Sequence, residues 1–210
     1  MPRLRQVPLA EASDDIRQTY QRLFGDRDPV AQPGTATGTP GNWWTVFALV
    51  PDVLAHAQQG FGLLNSKRRL LSPYHRELGL IRAGFTGGSQ FVFSQHCKAG
   101  RAAGIPEAKL VAIPAFSASD VFDAADRAVL AYTDELVLQD GRVQDATFAA
   151  LKAHLSDEQI LELTYAVCTY KMHATITRAL RMEYDDVDER IVEIAAPGQQ
   201  SADIMSQISR

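Results

Sequence analysis

Apolar residues recur three and four places apart through most of this chain, with polar residues filling the positions between them. That period is the mark of helices that bury one face. No stretch alternates with a period of two and β-branched enrichment, so the expected fold is all-α, with about eight to ten helices. No repeat of solenoid length is present.

Start and stop signals divide the pattern. Ser13 stands as an N-cap before DDIRQTYQRLF, and Gly25 is a natural stop. The following GDRDPVAQPGTATGTPG carries Pro and Gly at close spacing and almost no large apolar residue, so it reads as a loop or a lid rather than a strand. Asn42 caps WWTVFALV, Pro51 opens DVLAHAQQGFGLLN, and Ser72-Pro73 opens YHRELGLIRAGFT. Gly87-Gly88 ends that helix; Ser89 begins the next, which stops at Gly104. Pro106, Asp123 and Asp145 mark three further starts. Ser156 and Gln159 form a capping box at the head of ILELTYAVCTYKMHATITRALRM. That helix is apolar on most sides and is expected in the middle of the bundle. The organisation read from these signals is an N-terminal helix and loop over 1–41, a helical domain over 42–196, and a frayed or subunit-docking tail over 197–210.

Composition narrows the class. The 210 residues are 46% hydrophobic, enough for a real core, and the net charge is -4. No basic block or basic amphipathic stripe is present, which argues against a nucleic-acid partner. The N-terminus lacks the apolar stretch of a secretory signal, and no run of about 18 apolar residues exists to span a membrane. Cys97 and Cys168 are too few for a disulfide framework and fit a reducing, cytoplasmic setting.

The candidate chemistry lies in two successive helices. Val92, His96, Ala99 and Ala103 share a face with Ser89, which places His96 inward. Glu77 lies on a face with Ile81 and Gly84. A hairpin at Gly87-Gly88 brings the carboxylate toward the imidazole. Such a pair can move a proton at neutral pH, or it can be a buried histidine held by a carboxylate for packing.

The segment RELGLIRAGFTGGSQFVFSQHCKAGRAAGIPEAKLVAI resembles the core of the carboxymuconolactone decarboxylase family, which includes the alkylhydroperoxidase D-like proteins. The resemblance rests on Arg76-Glu77, the break at Gly87-Gly88, His96 and the stop at Ala103-Gly104, and extends over residues 42 to 185. It implies an all-α, alkylhydroperoxidase D-like bundle whose subunits associate as dimers, trimers or hexamers, with no metal and no organic cofactor. In the peroxidase branch a Cys-x-x-Cys pair precedes the His. The matching positions here are Ser89 and Val92, so a thiol peroxidase would require Cys97 and Cys168 to meet. The decarboxylase-like branch implies His96 as proton donor to an enolate, Glu77 setting its tautomer, and Ser89 and Val92 in the binding wall. A cation for the substrate carboxylate is sought on the long helix, where Lys171, Thr175 and Arg178 form a polar stripe that His173 lies off.

Trp43 and Trp44 point different ways on a helix, so at most one is expected in any pocket. His56, His75 and His154 are scattered and receive no role. No metal-ligand spacing and no phosphate-binding glycine loop is present. Three readings follow. The first is a cofactor-free decarboxylase or proton-transfer enzyme for a small cyclic carboxylate. The second is a non-catalytic oligomeric binding protein, and the third is a thiol peroxidase.

Overall fold

The computed structural model describes residues 1–185 and 191–195, and the tail expected over 197–210 lies outside them. Among the described residues there are nine α-helices and no strand. In chain order they are α1 (Asp14–Phe24), α2 (Asn42–Phe47), α3 (Pro51–Leu64), α4 (Pro73–Thr86), α5 (Gln90–Ala102), α6 (Glu107–Ala112), α7 (Ala124–Leu138), α8 (Asp145–Lys152) and α9 (Asp157–Leu180). A short 3-10 helix, Ile113–Ala118, links α6 to α7.

The caps are largely those the sequence announces. Ser72 accepts a hydrogen bond from the His75 amide with Pro73 at the first helical position, Asp123 accepts from Asp126, and Ser156 with Gln159 completes a capping box. At α2 the cap is Gly41 rather than Asn42. The Glu183 carboxylate takes the free amides of Gly41 and Trp43, and the Asn42 side chain turns instead to accept from the Glu183 amide.

The central helix is α4, not α9. Every residue from Glu77 to Gly84 is buried, and α4 packs against α5, α7 and α9. Its Leu78, Ile81 and Ala83 join one core cluster with Phe93, Leu110, Val129, Leu130, Leu163 and Val167. The long helix α9 buries only its inner side, through Leu163, Val167 and Ala174. Leu161, Tyr165 and Met172 remain exposed on the other. A second cluster joins α1 to α2 and α3 through Ile16, Tyr20, Phe24, Trp43, Phe47 and Leu54. The N-terminal helix therefore shares a core with the segment that follows it.

The α4–α5 hairpin sets the site. Gly88 adopts φ 65°, a left-handed turn that glycine makes without strain, and Ser89 caps α5 by accepting from Val92. The helices cross closely at Gly84, where an added Cβ would lie 2.7 Å from the Phe93 backbone nitrogen. Gly62, by contrast, is an exposed glycine inside α3 with open space around it. Gly84→Ala is expected to destabilise the fold by roughly 1–3 kcal/mol through overpacking against backbone. Gly62→Ala is expected to stabilise it by up to about 1 kcal/mol. Urea unfolding of the two variants checks both signs.

Candidate active site

Glu77 and His96 meet as the hairpin predicts. The Glu77 Oε2 lies 2.7 Å from His96 Nδ1, and both residues are buried. The other oxygen, Oε1, accepts from Arg76 Nε at 2.9 Å and pairs with its Nη2 at 2.9 Å. Arg76 in turn donates through Nη1 to the Leu64 carbonyl at the end of α3. Burial alone would raise the Glu77 pKa, but the His96 ring and the Arg76 guanidinium outweigh it and hold the carboxyl below its ordinary value. Glu77 is therefore an anion, Nδ1 of His96 is its donor, and Nε2 is left for other chemistry. No described residue partners Nε2.

His96 opens on a cavity of about 410 Å³. Its walls are aromatic: Trp43 and Trp44 from α2, Phe61 from α3, Phe91 from α5, and Tyr170 and His173 from α9. The His96 and Tyr170 rings meet edge-to-face at 4.1 Å, and Tyr170 lies 5.7 Å from the His173 ring. His173 is packed among Trp43, Phe47 and Phe61, at 5.9, 6.4 and 5.2 Å. Burial lowers its pKa to about 4, with a smaller push from His96, so it is neutral at physiological pH. Burial likewise raises the Tyr170 pKa, so its phenol keeps its proton. Arg22 from α1 stands in the cavity wall with no ion pair to any described residue. Thr35, Thr37 and Thr39 close another side from the 25–41 loop. That loop is tied down by Lys98, which donates to the Thr37 carbonyl at 2.5 Å, and by Tyr184, which donates to the Gly38 carbonyl at 2.6 Å.

The remaining expected residues fall differently. Val92 lines the cavity. Ser89 does not: it is fully buried, with its hydroxyl 3.1 Å from Thr177 Oγ1 and donating to Asp185 Oδ2 at 2.9 Å. Lys171 turns outward and donates to Asp140 Oδ1 at 2.5 Å. Arg178 donates to the Gly88 carbonyl at the α4–α5 turn. Neither cation of the long helix reaches the cavity, because its inward polar positions are Tyr170, His173 and Thr177, at i, i+3 and i+7. That spacing is readable in the sequence and points to the face that matters. Arg22 gives no such signal, since its position depends on how α1 docks. Both tryptophans line the same cavity, their rings 4.8 Å apart, because indoles are long enough to converge from neighbouring positions. Cys97 is sealed in the core with its thiol pKa pushed up by burial, Cys168 is exposed on α9, and both are free. Among the described residues no group of His, Cys, Asp and Glu could hold a metal ion. No described helix is long and apolar enough to cross a membrane.

Three residues after α9 bind the cavity elements together. Glu183 holds the start of α2, Tyr184 the loop, and Asp185 accepts from the Phe91 amide at the start of α5. Burial raises the Glu183 pKa to about 7, against weaker lowering by the Trp43, Gly41 and Asn42 amides, and Asp185 is shifted the same way by burial.

No family model and no curated protein matches the chain. Several solved structures do. An uncharacterized peroxidase-related protein from Ralstonia eutropha JMP134, the alkylhydroperoxidase AhpD core, superposes with a TM-score of 0.66 at 19% identity, covering 88% of this chain and 93% of its own. The debrominase Bmp8 in complex with 2,3,4-tribromopyrrole gives 0.60 at 15% identity over 93% and 88%. A protein of unknown function from Agrobacterium tumefaciens, named for the antioxidant-defence protein AhpD, gives 0.59 at 23% identity over 70% and 96%. The chain has the AhpD-like all-helical fold, in agreement with the resemblance carried by α4 and α5.

Two of the buried carboxylates, Glu77 and Glu183, bend stability in opposite directions with pH. Glu183, raised from 4.5 to about 7, contributes stability that is full below pH 4.5 and is lost as pH rises through 7. Glu77, lowered, contributes stability above 4.5 that is lost as pH falls through its folded value. His173, lowered by burial to about 4, contributes in the opposite sense to Glu183: its stability is full above 6.5 and is lost as pH falls through 4. The two nearly offset in the wild type, so the Glu183 contribution is read as a difference. In chemical denaturation the stability of Glu183→Gln relative to wild type is expected to rise by up to about 3 kcal/mol between pH 4.5 and 8.5.

Proposed function

We propose that this protein is a cofactor-free enzyme that decarboxylates, or transfers a proton to, a small cyclic carboxylate such as a lactone acid. The carrying observation is the His96 imidazole, oriented by an ionised Glu77 and presenting Nε2 to an aromatic cavity of suitable size. Loss of carbon dioxide leaves an enolate that must be protonated at carbon. His96 delivers that proton from Nε2, and the Glu77 carboxylate stabilises the imidazolium that precedes delivery. Arg22 takes the role that Lys171 and Arg178 were expected to fill: it stands in the cavity wall with no ion pair among the described residues and meets the ligand's charge.

The aromatic walls suit a planar ring, and the debrominase that shares this fold was captured with one. The sealed Cys97 and the separate exposure of Cys168 weigh against the dithiol peroxidase reading. The exposed Leu161, Tyr165 and Met172 of α9 support a homo-oligomer.

The two tryptophans of the chain both line the cavity, so their fluorescence reports occupancy. A panel of cyclic carboxylates, lactone acids included, is expected to contain a ligand that changes this emission and raises the melting temperature. With the ligand that turns over, His96→Gln should lower kcat at least about 100-fold with the fold intact. Arg22→Gln should chiefly raise KM, by roughly 10-fold or more. Undiminished turnover by His96→Gln overturns the assignment.

A further inference from the structure

His173 is a poor packing residue as built. It is 3% exposed in a box of Trp43, Phe47 and Phe61, its Nδ1 is sealed with no hydrogen-bond partner, and no described residue partners Nε2. An unsatisfied buried polar atom costs about 1–3 kcal/mol, which a phenylalanine in the same box would avoid. An imidazole kept there at that cost, with its ring in the cavity wall, suits a task rather than packing. Between it and His96 stands Tyr170, which touches both rings and whose hydroxyl has no partner among the described residues.

We propose that the cavity also catalyses an allylic proton shift in a cyclic β,γ-unsaturated carbonyl compound, with His173 as base, Tyr170 as donor to the carbonyl oxygen, and His96 as acid. His173 Nε2 takes the α-hydrogen; the C–H electrons move into the ring and onto oxygen, giving a dienolate. The Tyr170 hydroxyl donates a hydrogen bond to that oxygen. The dienolate collapses as its γ-carbon takes the proton from His96 Nε2, and the double bond comes into conjugation with the carbonyl. His173 ends protonated and His96 neutral, and exchange with water restores both. No oxidant or reductant is needed.

The surroundings enforce these roles. His96 is hydrogen-bonded to the Glu77 carboxylate, whereas His173 faces only aromatic rings and the more distant His96. A carboxylate partner behind one ring and an apolar box around the other assign the acid to His96 and the base to His173. A base of low basicity suffices where a neutral hydroxyl stabilises the dienolate. This proposal rests on His96 as the cavity-facing proton donor and adds a base and a second reaction class.

The test uses α-angelica lactone, a β,γ-unsaturated lactone, in deuterium oxide, at concentrations that saturate the tryptophan response. Proton NMR follows deuterium uptake at the α-carbon and formation of the conjugated isomer. The wild-type protein is expected to accelerate both over buffer. His173→Phe should lower both at least about 100-fold while raising the melting temperature and keeping the tryptophan response. Tyr170→Phe should lower both to a similar degree. His96→Gln should lower conversion more than α-exchange. Near wild-type exchange by His173→Phe overturns the proposal, as does wild-type protein that shows no deuterium uptake or no tryptophan response up to the solubility limit. If a lactone acid is decarboxylated through His96 while α-exchange is absent, this proposal fails alone. If His96→Gln leaves decarboxylation and isomerisation unchanged, the reading beneath it fails as well.

Discussion

A carboxylate buried as deeply as Glu77 is intolerable without compensation, and the way this chain compensates it organises the rest of the molecule. One oxygen is taken by His96 across the α4–α5 hairpin, the other by Arg76, whose remaining donor reaches back to the Leu64 carbonyl. Three helices are thereby registered on one anion. The hairpin must close tightly for the pair to form, which is why Gly84 stands where α5 crosses and Gly88 makes the turn. Truncating either member to Ala would leave a buried charge or a buried imidazole without its partner, the costly outcome for such contacts, whereas His96→Gln keeps an N–H donor for Glu77.

The pair also gives the cavity its polarity. Glu77 does not line the cavity; it acts from behind, fixing which nitrogen of His96 is committed and which is free. From His96 a continuous set of rings runs through Tyr170 and His173 to Trp43, and among the described lining residues the one arginine or lysine is Arg22 on α1. His96 is buried beside the cavity, so its pairing with Glu77 is stronger than it would be at the surface, whereas Arg22 stands exposed at the cavity wall. The post-α9 residues Glu183 to Asp185 hold the starts of α2 and α5 together, so the chamber depends on a segment remote from it in sequence.

Local physics made much of this legible. Helix caps, proline starts and glycine stops are contacts between near neighbours, and the α4–α5 pairing follows from a break of two glycines between two amphipathic segments. Long-range consequences were not legible. Nothing within α9 tells that its outer apolar side stays exposed while α4 takes the centre. The charged stripe Lys171 to Arg178 stands out on an apolar helix, yet both cations serve neighbouring backbone and Asp140. Tyr170 and His173 stand at a readable spacing, but ring side chains on an apolar helix look like core until the cavity beside them is seen. Asn42 lost its cap to Glu183, which lies 141 positions away.

The central claim is that Glu77 commits Nδ1 of His96 and leaves Nε2 for the cavity. A long-range proton–nitrogen NMR spectrum of protein labelled with 15N-histidine reads this directly. The account predicts that Nδ1 of His96 carries the proton throughout neutral pH, and that only the Nε2 signal moves when a cyclic carboxylate fills the cavity. A His96 resonance showing the proton on Nε2 with Nδ1 bare, or no response of either nitrogen to a ligand that alters tryptophan emission, would contradict it.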